Sequence, residues 1–141
     1  MKEAVIGLGG NIEPRAFYLT MARFLLRERV GELLRASSVV ETESWGFEAP
    51  PFLNQVVVVR TALEPLALLD TLQAIERALG RKQKSVVVNG VPQYHSRTID
   101  LDILDYDHQV YSDERLILPH PKIHERDFVM QALQELQITI S

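Results

Sequence analysis

Apolar positions in the first half of the chain alternate between short strand-like runs and a helical stripe. AVIGLGGN is an apolar run broken by glycines, which predicts a strand followed by a turn. Pro14 then suits the first position of a helix that reaches about Arg29. After Gly31, LLRASSVVET predicts a second strand with β-branched residues near its end. The helix is expected to face the core through Leu19, Ala22 and Leu26.

The second half of the chain continues with a strongly apolar strand and another helix. NQVVVVRTAL contains four consecutive valines, which indicate a strand buried on both faces. Pro65 is expected to open a helix that Gly80 ends, with an apolar stripe between them. RKQKSVVVNGVPQYHS is a long connection that suits an Asn-Gly hairpin, and TIDLDILDY predicts the next strand. DHQVYS then predicts a turn into a short strand, and Pro121 is expected to open a last helix through FVMQAL.

This order of elements, β-α-β-β-α-β with a C-terminal extension, predicts an α+β fold of the ferredoxin-like type. Such a fold has an antiparallel sheet with helices packed on it. We find no internal repeat and no linker, so residues 1–141 are expected to form a single domain. The architecture hosts many chemistries and does not by itself indicate a function.

Composition narrows the class of protein. The 141 residues are 46% hydrophobic and 24% charged, as in an ordinary globular domain. The absence of cysteine excludes disulfides and thiolate metal sites. No apolar run approaches the roughly 18 residues that cross a bilayer, and the N-terminus has no signal-peptide pattern, so we expect a cytoplasmic protein without a membrane partner. A net charge of -4 argues against a nucleic-acid partner.

The charge is unevenly distributed along the chain. The stretch from Arg81 to Ile99 contains four basic side chains and His95 but no acid. In an acidic protein, one purely basic stretch indicates a local anion site. The four basic residues are Arg81, Lys82, Lys84 and Arg97.

The stretch RTIDLDIL follows directly and places Asp100 and Asp102 at i and i+2 on a strand. Both side chains then share one face, while Leu101 and Ile103 point to the core. Two unpaired carboxylates side by side repel each other and are costly to bury. The pair is therefore tolerated if the face is solvated, if arginines neutralise it, or if it binds a divalent cation. Oxygen ligands favour Mg²⁺, Ca²⁺ or Mn²⁺ over zinc.

A solvated strand face is the simplest interpretation of an isolated D-x-D, because this spacing is common by accident. The context favours a cation site: the basic stretch precedes the pair, and LPHPKIHER follows it. Carboxylates with Mg²⁺ and basic side chains are what a nucleotide triphosphate site requires. No GxxxxGK[ST] is present, so the chain is not a P-loop enzyme.

Four blocks carry a resemblance to a known family: LGGN, FLN of PPFLNQ, RTIDLDIL and LPHPKIHERDFVMQAL. They resemble 6-hydroxymethyl-7,8-dihydropterin pyrophosphokinase of folate biosynthesis, from about Ile6 to Leu133. The resemblance implies transfer of pyrophosphate from ATP to the hydroxymethyl oxygen of the pterin, with release of AMP. It also implies the ferredoxin-like core that the order of elements predicts.

The resemblance assigns the catalytic group to Asp100, Asp102, Arg81 and Arg97. The two aspartates match residues that hold two Mg²⁺ ions against the triphosphate, and the arginines match phosphate-binding residues. Either Asp102 or a metal-bound alkoxide would account for loss of the hydroxyl proton. The ATP site implied by the resemblance comprises Gln73, Glu76, Arg81, Lys84, Arg97, Ile103, Arg115, His120 and Arg126.

Several of these residues have simpler interpretations. Gln73 and Glu76 lie at i and i+3 on the second helix, where a solvated helix edge would be the default. His120 precedes Pro121, so we expect its imidazole beside a helix N-terminus, where it would meet phosphate. Arg126 follows one helical turn later and would reach the same anion.

The resemblance also implies a pterin pocket. Phe52 and Phe128 match two aromatic residues that stack on the pterin ring, although a lone Phe is usually core. Asn54 matches the amide that reads the pterin edge as donor and acceptor. The pocket is completed by Thr42, Ser44 and Trp45.

The chain departs from the family pattern in several places, including two stretches near the implied site. TESWGF stands where many members have T-x-P, and Gln83 replaces a basic residue. Two alternatives to the pyrophosphokinase remain: a ferredoxin-like nucleotide-binding regulatory domain without catalysis, and a phosphotransferase acting on another flat heterocycle. We expect a monomer or weak homodimer.

Overall fold

The structure, a computed structural model, describes residues 1–43, 50–80, 85–88, 91–94 and 98–140, of which 85–88 and 91–94 by backbone alone. In chain order its elements are β1 (Lys2–Gly10), α1 (Arg15–Arg29), β2 (Gly31–Ala36), β3 (Val40–Thr42), β4 (Phe52–Thr61), α2 (Pro65–Ala78), β5 (Ser85–Val88), β6 (Val91–Tyr94), β7 (Asp100–Tyr106), β8 (Tyr111–Ser112), β9 (Ile117–Leu118), a 3₁₀ turn (Ile123–Glu125) and α3 (Asp127–Glu135). None of the described helices is long and apolar enough to cross a membrane.

The main sheet is antiparallel, with strand order β2-β4-β1-β7 and β3 paired to β4. The single strand expected for LLRASSVVET is instead split into β2 and β3. Ser37 causes the break, because its hydroxyl accepts the Val56 N–H (2.9 Å) while its own carbonyl accepts the side chain of Gln55 (2.7 Å). The short hairpin of β5 and β6 agrees with the Asn-Gly prediction in its pairing.

Side-chain alternation gives the sheet two covered faces. On the first face, α1 and α2 pack against residues such as Ile6, Val57 and Leu101. On the second face, α3 packs against Val58 and Leu104, together with other residues of β1 and β4. All four valines of β4 are buried, which confirms the prediction of burial on both faces.

The observed ends of the helices agree with the sequence-based boundaries for α2 but not for α3. Gly80 follows α2 with φ of +98°, which confirms its expected role after the C-cap. The expectation that Pro121 opens the last helix is wrong, because a 3₁₀ turn follows it and α3 begins only at Asp127. The intervening turn buries Ile123 in the second-face core, and the extended Arg126 then separates it from α3.

From the burial of Tyr106, at the end of β7, we predict a measurable decrease in the free energy of unfolding at alkaline pH. Its side chain is 2% exposed, and its hydroxyl donates to the Leu63 carbonyl (2.7 Å). Burial raises the pKa of Tyr106 above its ordinary value of 10.0. The folded protein therefore keeps a proton that the unfolded chain loses, so this contribution is complete below the ordinary pKa and is lost as pH rises through the folded pKa.

The Tyr106→Phe variant should show a shallower alkaline decline in the free energy of unfolding. It should also lose about 1 kcal/mol at neutral pH, because one hydrogen bond is removed. Urea denaturation of both proteins from about pH 7 to about pH 11, across the tyrosine range, measures this. Equal alkaline slopes for the two proteins would contradict the role of Tyr106.

Candidate active site

The candidate site lies on the second face of the sheet, next to the residues that α3 packs against and toward the Gly9 end of β1. Gly9 of β1 lies opposite Asn54 of β4 on one side and opposite Asp100 of β7 on the other. Directly opposed residues of antiparallel strands point to the same face. Asn54, Gly9 and Asp100 therefore form one row across three strands, and Gly7 and Asp102 lie in the next. Two strand spacings separate Asn54 from Asp100, which is about 10 Å.

The two aspartates are half-buried and share this face, as their spacing predicts, while the intervening Leu101 is buried on the other face. The Nη1 atom of Arg126 lies 3.5 Å from Oδ2 of Asp102. Within the described ranges, no three His, Asp or Glu side chains are grouped to hold a metal. Two carboxylates fit Mg²⁺, which usually takes one or two from the protein and further oxygens from substrate phosphates.

Glu76 of α2 holds the backbone between the two aspartates. Its side chain is buried, and Oε2 accepts the Leu101 N–H at 2.8 Å. Because β7 is an edge strand, its outward N–H groups need partners other than a neighbouring strand. The interpretation of Glu76 as a solvated helix edge is therefore wrong. Its place in an ATP site stays a prediction.

Three other residues of the implied ATP site lie near the outer edge of β7 or on α2. Nη2 of Arg115 donates to Oε1 of Gln73 at 3.3 Å and to Oδ1 of Asp70. The sequence had not indicated the contact with Asp70. The His120 N–H donates to the Leu104 carbonyl of β7 (2.9 Å).

One expectation for the ATP site is wrong, and another is restricted to the backbone. Nδ1 of His120 accepts the Lys122 N–H (3.0 Å), and α3 begins seven residues later at Asp127, so this imidazole is not beside an α-helix N-terminus. The side chain of Ile103 is 2% exposed in the first-face core, so only its backbone is available to a ligand.

Three of the expected pterin-site residues, Thr42, Phe52 and Asn54, lie on β3 and β4, on the opposite side of Gly9 from Asp100. Nδ2 of Asn54 donates to Thr42 Oγ1 (2.7 Å) and to the Val40 carbonyl (3.2 Å). Both amide hydrogens are thus used, and Oδ1 lies only 3.1 Å from where a Cβ on Gly9 would sit. Asn54 therefore presents its Oδ1 acceptor toward Gly9 and, beyond it, Asp100.

The two aromatic residues of the expected pterin pocket lie on different elements. Phe52 opens β4 and, two residues before Asn54, points to the same face. Phe128 lies in the first turn of α3 and packs against the second-face core. Both are half-buried, and Phe128 combines packing against the core with an accessible surface.

Asn11 and Arg15 position the start of β4, a role that the sequence did not indicate. Nδ2 of the buried Asn11 donates to the Pro50 carbonyl (3.1 Å), and Arg15 donates to the Pro51 carbonyl (3.0 Å). A hydrogen bond to Glu41 raises the pKa of Arg15 above its ordinary value. The position of the glycines was visible in the sequence, because GLGG places Gly7 and Gly9 at i and i+2 on one strand, where both share a face.

Five expected site residues lie outside the described residues, and their roles stay predictions: Arg81, Lys84, Arg97, Ser44 and Trp45. A cavity of about 920 Å³ lies between the 3₁₀ turn, α3 and the C-terminal residues. It includes neither aspartate of the pair nor Asn54, so it is separate from the candidate site.

Residues 5–138 match the model of a family described as 7,8-dihydro-6-hydroxymethylpterin-pyrophosphokinase. A 2-amino-4-hydroxy-6-hydroxymethyldihydropteridine pyrophosphokinase of Porphyromonas gingivalis is 48% identical over 135 residues, which cover 93% of this chain and 88% of that protein. The enzyme of the same name from Bacillus subtilis is 38% identical over 135 residues, covering 94% and 77%.

Solved structures show similarity at the level of the fold. A structure of HPPK-DHPS in complex with substrates superposes with a TM-score of 0.70 at 16% identity, covering 96% of this chain and 40% of that one. Wild-type Plasmodium falciparum HPPK-DHPS with pteroate gives a TM-score of 0.70 at 15% identity, covering 94% and 38%. The chain thus spans about two-fifths of the length of these structures.

Proposed function

Since the chain belongs to the 7,8-dihydro-6-hydroxymethylpterin-pyrophosphokinase family and is an ATP-dependent diphosphokinase, we propose that its pterin and triphosphate meet at Asp100 and Asp102. The reaction transfers pyrophosphate from ATP to the hydroxymethyl oxygen of the dihydropterin and releases AMP. It serves folate biosynthesis.

The row of Asn54, Gly9 and Asp100 is the observation that supports this placement most strongly. A flat ring held at its edge by Asn54 would extend over Gly9, where no side chain obstructs it. Its hydroxymethyl group would then lie beside the carboxylate of Asp100. The sheet register thus supports a substrate-sized row with the proposed ring-binding amide at one end and Asp100 at the other.

The pterin side of the site recognises the ring by stacking and by one amide. Phe52 and Phe128 supply the faces of the stack, because offset aromatic stacking gives affinity to a flat heterocycle. The hydrogen bond from Asn54 to Thr42 orients the amide, so Oδ1 accepts from an N–H donor on the ring edge. Ser44 and Trp45 complete this pocket in the proposal.

The ATP side of the site uses the aspartate pair and the basic residues. Asp100 and Asp102 would hold Mg²⁺, as two ions, and these ions would neutralise the phosphate oxygens. Arg81 and Arg97 would bind the transferred phosphates through their planar forks. The remaining nucleotide contacts are assigned to Gln73, Glu76, Lys84, Arg115, His120 and Arg126, with Ile103 contributing its backbone.

The decisive experiment is measurement of AMP from ATP, Mg²⁺ and 6-hydroxymethyl-7,8-dihydropterin by the purified protein. AMP should appear in equal amount with the pterin diphosphate, and only when the pterin is present. Binding of ATP without any AMP would instead favour the regulatory domain. Equal turnover with another flat alcohol-bearing heterocycle would favour the broader phosphotransferase.

Gly9 and Gly7 provide a matched test of the pterin position. A methyl group on Gly9 would crowd Asn54 Oδ1 at 3.1 Å, whereas one on Gly7 would meet the Leu104 side chain at an ordinary 3.5 Å. Gly9→Ala should therefore raise the KM for pterin by about tenfold, since a displaced amide weakens ring recognition. Gly7→Ala should raise the KM for pterin much less than Gly9→Ala does. In both variants the KM for ATP should change by less than the tenfold expected for pterin in Gly9→Ala. Equal pterin KM values for the two variants would place the ring elsewhere.

At the level of topology, we propose that the chain is one domain with a ferredoxin-like βαββαβ core and a C-terminal extension. The strand order β2-β4-β1-β7, with α1 and α2 on one face, supports this description. The elements after β7, including α3, form the extension.

A further inference from the structure

Arg126 extends from the residue before α3 to one acid of the proposed cation site. Its Nη1 atom lies 3.5 Å from Oδ2 of Asp102. We propose that Arg126 is an exchangeable counter-charge that competes with divalent cations for Asp102 and moves to a substrate phosphate when a cation binds. This inference rests on the proposed role of Asp100 and Asp102 as Mg²⁺ ligands.

The electrostatics of the site explain why a counter-charge is present. Asp100 and Asp102 are on one strand face, about 7 Å apart along the strand, so their charges repel. A guanidinium beside Asp102 reduces this repulsion when no cation is bound. A bound divalent cation neutralises the two carboxylates, so the same guanidinium loses its attraction to Asp102 and is repelled by the cation itself.

The geometry of the pair favours exchange over permanent binding. The distance of 3.5 Å is long for an ion pair, and the two side chains are 36% and 20% exposed. Pairs of this kind are weak because water and salt screen them. A guanidinium released from Asp102 is well suited to phosphate, which it binds through two parallel N–H groups.

Arg126 also connects the cation site to the pterin side through α3. The carbonyl of Arg126 accepts the N–H groups of Val129 (3.0 Å) and Met130 (3.1 Å), which form the first turn of the helix. Phe128, the proposed stacking residue, lies in that same turn. A change of partner at the Arg126 side chain therefore acts on the segment that carries Phe128.

The test is a titration of the protein with Mn²⁺ in the absence of nucleotide. Binding is monitored through the relaxation rate of water protons. Arg126→Gln should bind Mn²⁺ about three- to tenfold more tightly than wild type, because a competing positive charge is removed. Arg126→Lys keeps the charge and should remain close to wild type. The ATP affinity of Arg126→Gln should fall at the same time, which a purely structural tether would not produce.

Arg60→Gln is the matched control for loss of one positive charge. Arg60 is in a similarly weak pair with Glu32 at 3.7 Å, at the opposite end of β4. Six residues of strand separate it from Asn54, or about 20 Å. This variant should leave Mn²⁺ affinity unchanged.

The outcomes separate failure of this inference from failure of the proposed function. Unchanged or weaker Mn²⁺ binding by Arg126→Gln, with binding still lost in Asp102→Asn, overturns the competition and leaves the metal role intact. Mn²⁺ binding that persists in both Asp100→Asn and Asp102→Asn overturns the metal role itself. If Arg126→Gln does not fold, the Arg126 Nε–H resonance of wild type decides, because it should shift during a Mg²⁺ titration and a fixed resonance overturns the proposal.

Discussion

Asp102→Asn should lower kcat by about a thousandfold or more, because removal of one charge from the proposed Mg²⁺ site weakens electrostatic stabilisation of the transferred phosphates. The substitution keeps the size of the side chain and leaves the buried neighbours Leu101 and Ile103 in place. The fold should therefore survive. Steady-state AMP formation at saturating Mg²⁺ measures the effect, with thermal unfolding as the check on folding.

Asp107→Asn is the matched control for this first prediction. Asp107 follows the end of β7, has a partly exposed side chain and pairs with Lys2 at 3.4 Å, away from Asp100 and Asp102. Loss of its charge should leave kcat within about twofold of wild type, as is usual for an exposed surface substitution. Unchanged turnover in Asp102→Asn would refute the proposed metal role.

Glu76→Ala should be the most damaging change outside the aspartate pair. It removes the acceptor of the buried Leu101 N–H and leaves space behind α2. An unsatisfied buried donor together with a cavity should lower the free energy of unfolding by about 2–4 kcal/mol. Because the released backbone lies between Asp100 and Asp102, the proposed cation ligands, activity should also fall by about a hundredfold through their displacement.

Two variants distinguish this positioning role from general disruption of α2. Glu76→Gln keeps an acceptor oxygen and should retain more stability and activity than Glu76→Ala. Arg77→Ala alters the next, exposed residue of the same helix and should change stability by about 0.5 kcal/mol at most. Urea denaturation and the Mg²⁺ dependence of turnover provide the readouts. A free energy of unfolding for Glu76→Ala equal to that of wild type would show that the Leu101 N–H has no need of this carboxylate.

The features that were predictable from the sequence depend on neighbouring residues. Helix α2 follows from Pro65, an apolar stripe and Gly80, and the positive φ of Gly80 confirms its end. The four valines of β4 predict burial on both faces for the same local reason. Strand periodicity alone places Asp100 and Asp102 on one face.

The features that were not predictable depend on residues distant in the chain. Glu76 is buried because its partner Leu101 lies 25 residues away, and Asn11 meets Pro50 at a separation of 39. The start of α3 depends on burial of Ile123 against the sheet, which a proline signal at position 121 cannot reveal. Such long-range contacts override local preferences.

The sequence by itself therefore determined the family of this protein, the identity of its main elements and the shared face of its two acids. Only the tertiary structure decided that Asn54, Gly9 and Asp100 lie in one row, and that Arg126 reaches Asp102. The reason is physical: side-chain alternation is a local property of a strand. Register between strands is set by packing on both faces of the whole sheet.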